Sequence, residues 1–154
     1  MPAPSPITVR PFAASDQPAA RALILAGFGE HFGVIDETLN PDLNDIAASY
    51  ADATFLVAER DGAIVGTGAL TREPDGARRV QRMSVAKQHR RRGIARCLLT
   101  GLVDHAAGDD GCDRVVLTTH ADWQDAIAFY LASGFTVVAR PPGGVDFARD
   151  ISRR

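Results

Sequence analysis

Between Thr54 and Ala106 the apolar residues of this chain change period, and the change falls on one basic loop. Upstream, the runs Thr54 to Glu59, Ala63 to Thr71 and Ala77 to Val85 are separated by Arg60-Asp61-Gly62 and by Pro74-Asp75-Gly76. Asp-Gly between two apolar runs is a strong hairpin signal, because both residues tolerate positive φ. The three runs therefore predict an antiparallel meander. Downstream, Ile94, Leu98, Leu102 and Ala106 recur every four residues, with Ala95, Leu99 and Val103 beside them. That is the broad apolar stripe of an amphipathic helix packed on a sheet, and Gly108 ends it.

The flanks complete a mixed α/β pattern. Ile7 to Arg10 predicts a first strand, stopped by Pro11, and a helix from Gln17 to about Ala26 follows the cap types Ser15 and Asp16. Gly27, Gly29 and Gly33 predict a break there and a loop to Asn40. Asn40-Pro41 opens a second helix, Asp42 to Tyr50. After the long helix come a short buried strand, Val115 to Thr119, and a helix from Trp123 to Ser133, capped by Asp122 and closed by Gly134. Two last strands, Phe135 to Arg140 and Val145 to Ile151, flank Pro141-Pro142-Gly143-Gly144. No internal repeat or linker interrupts this order. One domain over residues 1–154 is expected, with 1–6 as a loose tail.

Composition narrows the function. The chain has a formal net charge of −2, which argues against nucleic acid as its partner. Its basic residues are unevenly spread: Arg72, Arg78, Arg79, Arg82, Lys87, Arg90, Arg91, Arg92 and Arg96 crowd one stretch. A local basic patch in an acidic chain points to a compact anionic ligand. Cys97 and Cys112 match no zinc spacing and read as buried small residues; no metal set is visible. No apolar run is long enough to span a membrane and no signal pattern opens the chain, so the cytoplasm is the default expectation.

The basic loop itself carries chemistry. In Val85-Ala-Lys-Gln-His-Arg-Arg-Arg-Gly-Ile-Ala95 a strand ends and a helix opens near Gly93. The first turn of a helix offers unpaired backbone N–H groups at its positive dipole end, which makes an anion site. Gly93 lets a ligand approach the backbone, and Arg90, Arg91 and Arg92 add donors suited to phosphates. The loop is neither a Walker loop nor a Rossmann turn. The alternative is an ordinary helix start with surface arginines.

Arg90-Arg91-Arg92-Gly93-Ile94-Ala95 resembles the Arg/Gln-x-x-Gly-x-Gly/Ala signature of the GNAT (GCN5-related N-acetyltransferase) superfamily. Arg82-Met83-Ser84-Val85 resembles the strand before it. Ala126-Ile127-Ala128-Phe129-Tyr130-Leu131-Ala132-Ser133-Gly134-Phe135 resembles the family's later Ala-x-x-Phe-Tyr-x-x-x-Gly-Phe segment. The resemblance implies a mostly antiparallel twisted sheet of about seven strands flanked by four helices and splayed at two central strands. It implies an acetyl-CoA-dependent N-acetyltransferase, in which an amine attacks the thioester directly. The acceptor is expected to be a small-molecule primary amine. A protein N-terminus or lysine, or a non-catalytic acyl-CoA-binding role, is the alternative. A homodimer is a family-level expectation.

Residue roles follow from the same resemblance. Arg90, Arg91, Arg92, Gly93, Ile94 and Ala95 would hold the CoA pyrophosphate. The backbone of Met83 and Val85 would pair with the pantetheine arm. Tyr130, on an inward helical face, reads from pattern alone as a core tyrosine bonded to a carbonyl; the resemblance makes it the general acid for the departing thiolate. Many relatives carry a basic Glu on the strand before the motif, where this chain has Arg79, with Gln81 nearby. His120, a side chain that titrates near neutrality, is the first substitute; Asp122 and a water relay from Gln81 are the others. Trp123 is a further candidate for the cleft wall, and His31, Glu30, Asp36, Glu37 and Asp146 for the acceptor side.

Overall fold

The computed structural model describes residues 5–32, 40–109 and 112–151, with the backbone alone at 28–32. The elements run β1 (Thr8–Pro11), α1 (Gln17–Phe32), α2 (Ile46–Ser49), β2 (Thr54–Arg60), β3 (Ala63–Arg72) and β4 (Arg78–Val85). They continue α3 (Ile94–Ala107), β5 (Arg114–His120), α4 (Gln124–Ala132), β6 (Thr136–Ala139) and β7 (Gly144–Asp150). The strands form one seven-stranded sheet in the order β1-β2-β3-β4-β5-β7-β6. Every neighbouring pair is antiparallel except β4 and β5. A parallel pair needs a crossover, and α3 supplies it.

Strand alternation sends successive side chains to opposite faces, and each face has its own core. On one face Leu56, Val80, Leu117 and Phe147 meet the α3 stripe of Ile94, Leu98, Leu99, Leu102, Val103 and Ala106. Fully buried leucines such as Leu98 and Leu102 contribute about 1.5–3 kcal/mol each. α3 lies so close that a Cβ on Gly66 would sit 2.8 Å from Leu98 Cδ1. On the other face Ala20, Ile24 and Leu25 of α1 pack with Phe55, Val57 and Ala69.

Two expectations from the sequence are corrected. α1 does not break at Gly27 and Gly29 but runs on to Phe32. A mid-helix glycine costs only about 1 kcal/mol relative to alanine, which packing offsets. At Gly27 the missing side chain brings α1 onto β4: a Cβ there would lie 3.4 Å from Ser84 Oγ. The segment Asp42 to Tyr50 is a 3-10 turn, Pro41–Asn44, and then α2, broken at Asp45. The side-chain amide of Gln17 stabilises the break, donating to Leu43 O at 2.7 Å and accepting from Ile46 N–H at 2.9 Å. Of the predicted tail, residues 1–4 lie outside the described residues. Ser5 is tied down, its carbonyl accepting from Arg60 Nε at 2.9 Å.

The entry into α1 is held by ion pairing. Arg10 forks onto Asp16 at 2.7 and 2.9 Å, and Ala13 N–H donates to the same carboxylate at 2.8 Å. The Arg10 hydrogen bonds hold the Asp16 carboxyl below its ordinary value, against the opposing effect of burial. A depressed carboxylate pKa contributes stability above the unfolded value and loses it as pH falls through the folded one. Asp16→Asn should therefore cost about 1–3 kcal/mol at pH 7. In urea titrations the gap to wild type should narrow below about pH 4.

Candidate active site

β4 and β5 pair only at Arg78–Val115 and Arg79–Val116 and then part. The parting opens a cleft of about 820 Å³. One wall is β4 from Arg79 to Val85, and the other is β5 from Leu117 to His120 with Asp122 to Ala126 and Tyr130. Ile24 and Gly27 of α1 also line it.

A bulge shapes the β4 wall. Thr67 faces Ser84 but Ala69 faces Gln81, so Arg82 and Met83 together oppose Gly68. Arg82 takes φ +57°, in the left-handed region. Gly68 allows this close approach, since a Cβ would come within 2.7 Å of Met83 Sδ and 3.0 Å of Leu102 Cδ1 and those side chains would have to shift. Beyond Arg79 the β5-facing edge of β4 has no strand partner among the described residues, so apart from Val85 O, which accepts from Arg90 Nε, it is available to a ligand that pairs like a strand.

The basic loop follows directly. A short 3-10 turn, Lys87–His89, leads to Arg90, whose Nε donates to Val85 O at 3.1 Å. Arg91 and Gly93 have φ +63° and +81°, and α3 begins at Ile94 without a side-chain cap on its N-terminus. A Cβ built on Gly93 would meet nothing within 4 Å. The first-turn amides of α3 thus open onto free space ringed by the exposed Arg90, Arg91 and Arg92. Ile94 can offer only its backbone there, because its side chain is buried under Gly66. Open amides, flanking guanidiniums and a slot between parted strands fit a diphosphate with an extended arm.

On the opposite wall Tyr130 is buried among Phe129, Phe135 and Phe147, with ring centroids 5.1–5.9 Å away. The carbonyl partner expected for a core tyrosine is not there: no group among the described residues hydrogen-bonds its hydroxyl. No described side-chain polar atom is both fully buried and unpaired, so that hydroxyl reaches the cleft. Burial pushes the Tyr130 phenol well above its ordinary value, so it stays protonated at neutral pH.

Met83, Val85, Arg90, His120 and Tyr130 all line this one cleft. Arg91, Arg92, Gly93, Ile94 and Ala95 form the loop and helix start that follow β4. His120 ends β5, and its ring lies 4.3 Å from that of Trp123. Trp123 occupies the N-cap of α4 that the sequence assigns to Asp122. Asp122 lies one residue earlier, exposed at the cleft, inside the turn that Trp123 N–H closes on His120 O.

At the position expected for a carboxylate, Arg79 pairs with Glu73 and donates to Thr118 Oγ1 at 3.1 Å; Thr118 in turn donates to Asp146 at 2.6 Å. Gln81 Nε2 is engaged by Thr71 Oγ1 at 2.8 Å. Two smaller expectations fail: Cys97 is exposed rather than buried, and His89 is half-buried with Nδ1 3.3 Å from Arg60 Nη1. Asp36, Glu37 and the side chains of Glu30 and His31 lie outside the described residues. Among the described residues no cluster of His, Cys, Asp or Glu has metal-binding geometry, and no helix is long and apolar enough to cross a membrane. Sequence reasoning missed Ile24 and Gly27 of α1 and Ser84 of β4 as lining residues.

Known proteins share this architecture. Residues 19–135 match the model of the acetyltransferase (GNAT) family. N-acetyltransferase 8 of Rattus norvegicus is 39% identical over 109 residues, which cover 66% of this chain and 49% of that protein. N-acetyltransferase 8 of Homo sapiens is 33% identical over 109 residues, covering 66% and 48%. The chain thus spans about half the length of the curated relatives it matches. A GNAT-family acetyltransferase from Staphylococcus aureus superposes with a TM-score of 0.86 at 24% identity, over 96% of this chain and 100% of that one. The PaiA N-acetyltransferase of Thermoplasma acidophilum, solved in complex with coenzyme A, gives a TM-score of 0.80 at 17% identity, over 95% and 99%. At those identities the structural likeness speaks for the fold.

Proposed function

Because this chain belongs to the acetyltransferase (GNAT) family, we propose that it moves an acetyl group from acetyl-CoA to the primary amine of a small molecule. The observation that carries this reading is the cleft between the parted β4 and β5, with the open amides of α3 following β4 through the basic loop and a protonated tyrosine on its far wall. Bound acetyl-CoA supplies a thioester that an amine attacks directly. The amides from Arg91 to Ala95 hold the pyrophosphate, with Arg90, Arg91 and Arg92 adding charge-assisted donors. The open edge at Met83 and Val85 pairs with the pantetheine arm. Tyr130 gives its phenolic proton to the departing sulfur. Ile24 and Gly27, which line the cleft together with Gln81 and Ser84, are the proposed acceptor side.

An alkylammonium of pKa about 10 must lose a proton before it attacks. His120 is the proposed acceptor of that proton, held at the cleft mouth against Trp123. His120→Ala should lower kcat/KM about 100-fold near neutral pH. An unchanged kcat/KM transfers the role to Asp122 or to water held by Gln81.

The reading as a whole is tested by calorimetry with acetyl-CoA and CoA, followed by thiol release across a panel of small amines and peptides. Saturable binding near one ligand per chain with turnover on small amines is expected. Turnover on peptides alone moves the acceptor to a protein. Binding without any turnover leaves a non-catalytic acyl-CoA module, and no binding overturns the reading.

A further inference from the structure

Arg82 holds a backbone conformation that a non-glycine residue adopts only under constraint. Its φ of +57° costs roughly 1–2 kcal/mol for a residue with a Cβ, and such strain persists where the surroundings over-determine it. Three ties do so here. The fully buried Thr67 donates its hydroxyl to Arg82 O at 2.7 Å. The guanidinium forks onto Asp42 at 2.6 and 3.0 Å and donates to Asn40 Oδ1 at 3.1 Å. Asp42 is braced from behind by Tyr50, whose hydroxyl donates to it at 2.6 Å and whose ring packs on Phe55 at 5.1 Å.

The charges agree with a committed pair. Burial opposes the ionised form of Asp42, yet the bonds from Tyr50 and Arg82 hold its carboxyl below the ordinary value. Burial, reinforced by Asp42, pushes the Tyr50 phenol up to about 12. The latch ties the 3-10 turn Pro41–Asn44 and its cap Asn40 to the bulge in β4, and of the two it is the bulge that lines the cleft. Without it, residue 82 relaxes toward extended geometry. A one-residue slip there turns Met83, Ser84 and Val85 to opposite faces.

We propose that Arg82 is a positioning residue, whose fork onto Asp42 fixes the β4 bulge and so aims the Met83–Val85 edge at the ligand that enters the cleft. The inference rests on the acetyl-transfer reading above and adds to it a residue that acts through the strand. It predicts that ligand affinity, rather than stability alone, depends on a carboxylate forty residues away in sequence.

The test is a cycle of Arg82→Ala, Asp42→Asn and the double variant, read by calorimetry with CoA, by the KM for acetyl-CoA against kcat, and by thermal unfolding. Each single change should weaken CoA binding and raise KM about tenfold, and the double should be no weaker than the worse single, because both remove one interaction. Arg82→Gly should recover part of the affinity lost in Arg82→Ala, since glycine takes positive φ without the tether. A merely structural tie would lower the melting temperature in all four and leave the Kd of the folded protein at the wild-type value; that result overturns the proposal. Should Arg82→Ala fail to fold, Asp42→Asn carries the test, because it changes no residue of β4. Wild-type protein that does not bind CoA overturns the acetyl-transfer reading and this inference with it. Wild-type binding beside unaffected variants overturns this inference alone.

Discussion

Gly93→Glu is expected to abolish CoA binding while leaving the protein folded. The position has φ +81°, so any side chain there strains the backbone by roughly 1–2 kcal/mol. No steric penalty is added, because a Cβ at Gly93 meets nothing within 4 Å. A carboxylate at a helix N-terminus is itself favourable by about 0.3–1 kcal/mol, which offsets part of the strain. The folded state should therefore survive. The ligand site should not. The new carboxylate projects into the space that the diphosphate needs, takes up the first-turn amides and repels the phosphates. Losing two charge-assisted hydrogen bonds at about 1.5–3 kcal/mol each weakens Kd by at least about 100-fold. Gly93→Ala separates the causes, since it carries the strain without the charge and should weaken binding about tenfold or less. Calorimetry showing the glutamate variant within about threefold of wild type, with an intact circular dichroism spectrum, would remove the pyrophosphate from this loop.

The parts of this fold that the sequence reveals are those whose cause is local. Asp61 and Gly62 both take positive φ, at +53° and +79°, and that shared requirement makes Asp-Gly a legible turn. The α3 stripe is legible because the period of a helix repeats within the segment itself. The parallel pairing of β4 with β5 leaves no such trace, and only the family resemblance pointed to the splay. The same is true of the α1 boundary: Gly27 looks like a stop until Ser84, from a strand far along the chain, is seen 3.4 Å from where its Cβ would stand. The bulge at Arg82 carries no glycine to mark it. It is held by Thr67 and Asp42, fifteen and forty residues away. Trp123 at the N-cap of α4, stacked on His120, was likewise hidden behind Asp122, a better cap by residue type. Local chemistry thus announced the basic loop and the start of α3, while the walls of the cleft were set by distant contacts.

Tyr130→Phe should separate chemistry from binding. The ring supplies the packing against Phe129, Phe135 and Phe147, and phenylalanine retains it. The hydroxyl has no hydrogen-bond partner among the described residues, so its removal breaks no internal bond, and the melting temperature should stay within about 3 °C. CoA affinity should likewise stay within about twofold, since the cradle lies elsewhere. The rate should fall. A thiol of pKa about 8.5 is already a fair leaving group, which puts the loss of its proton donor at the low end for general acids, about 100-fold in kcat. Burial raises the Tyr130 phenol, so the acid form persists through the physiological range and no alkaline fall in wild-type kcat should arise from this group below about pH 10. Linkage gives a second signature. With the folded pKa above the unfolded one, the folded state keeps a proton that the unfolded chain releases above about pH 10, and wild type should lose stability there faster than the phenylalanine variant. A variant with unchanged kcat would make Tyr130 a packing residue and leave the sulfur to be protonated by solvent. A variant with unchanged kcat but weakened CoA binding would make its hydroxyl a contact to the bound arm.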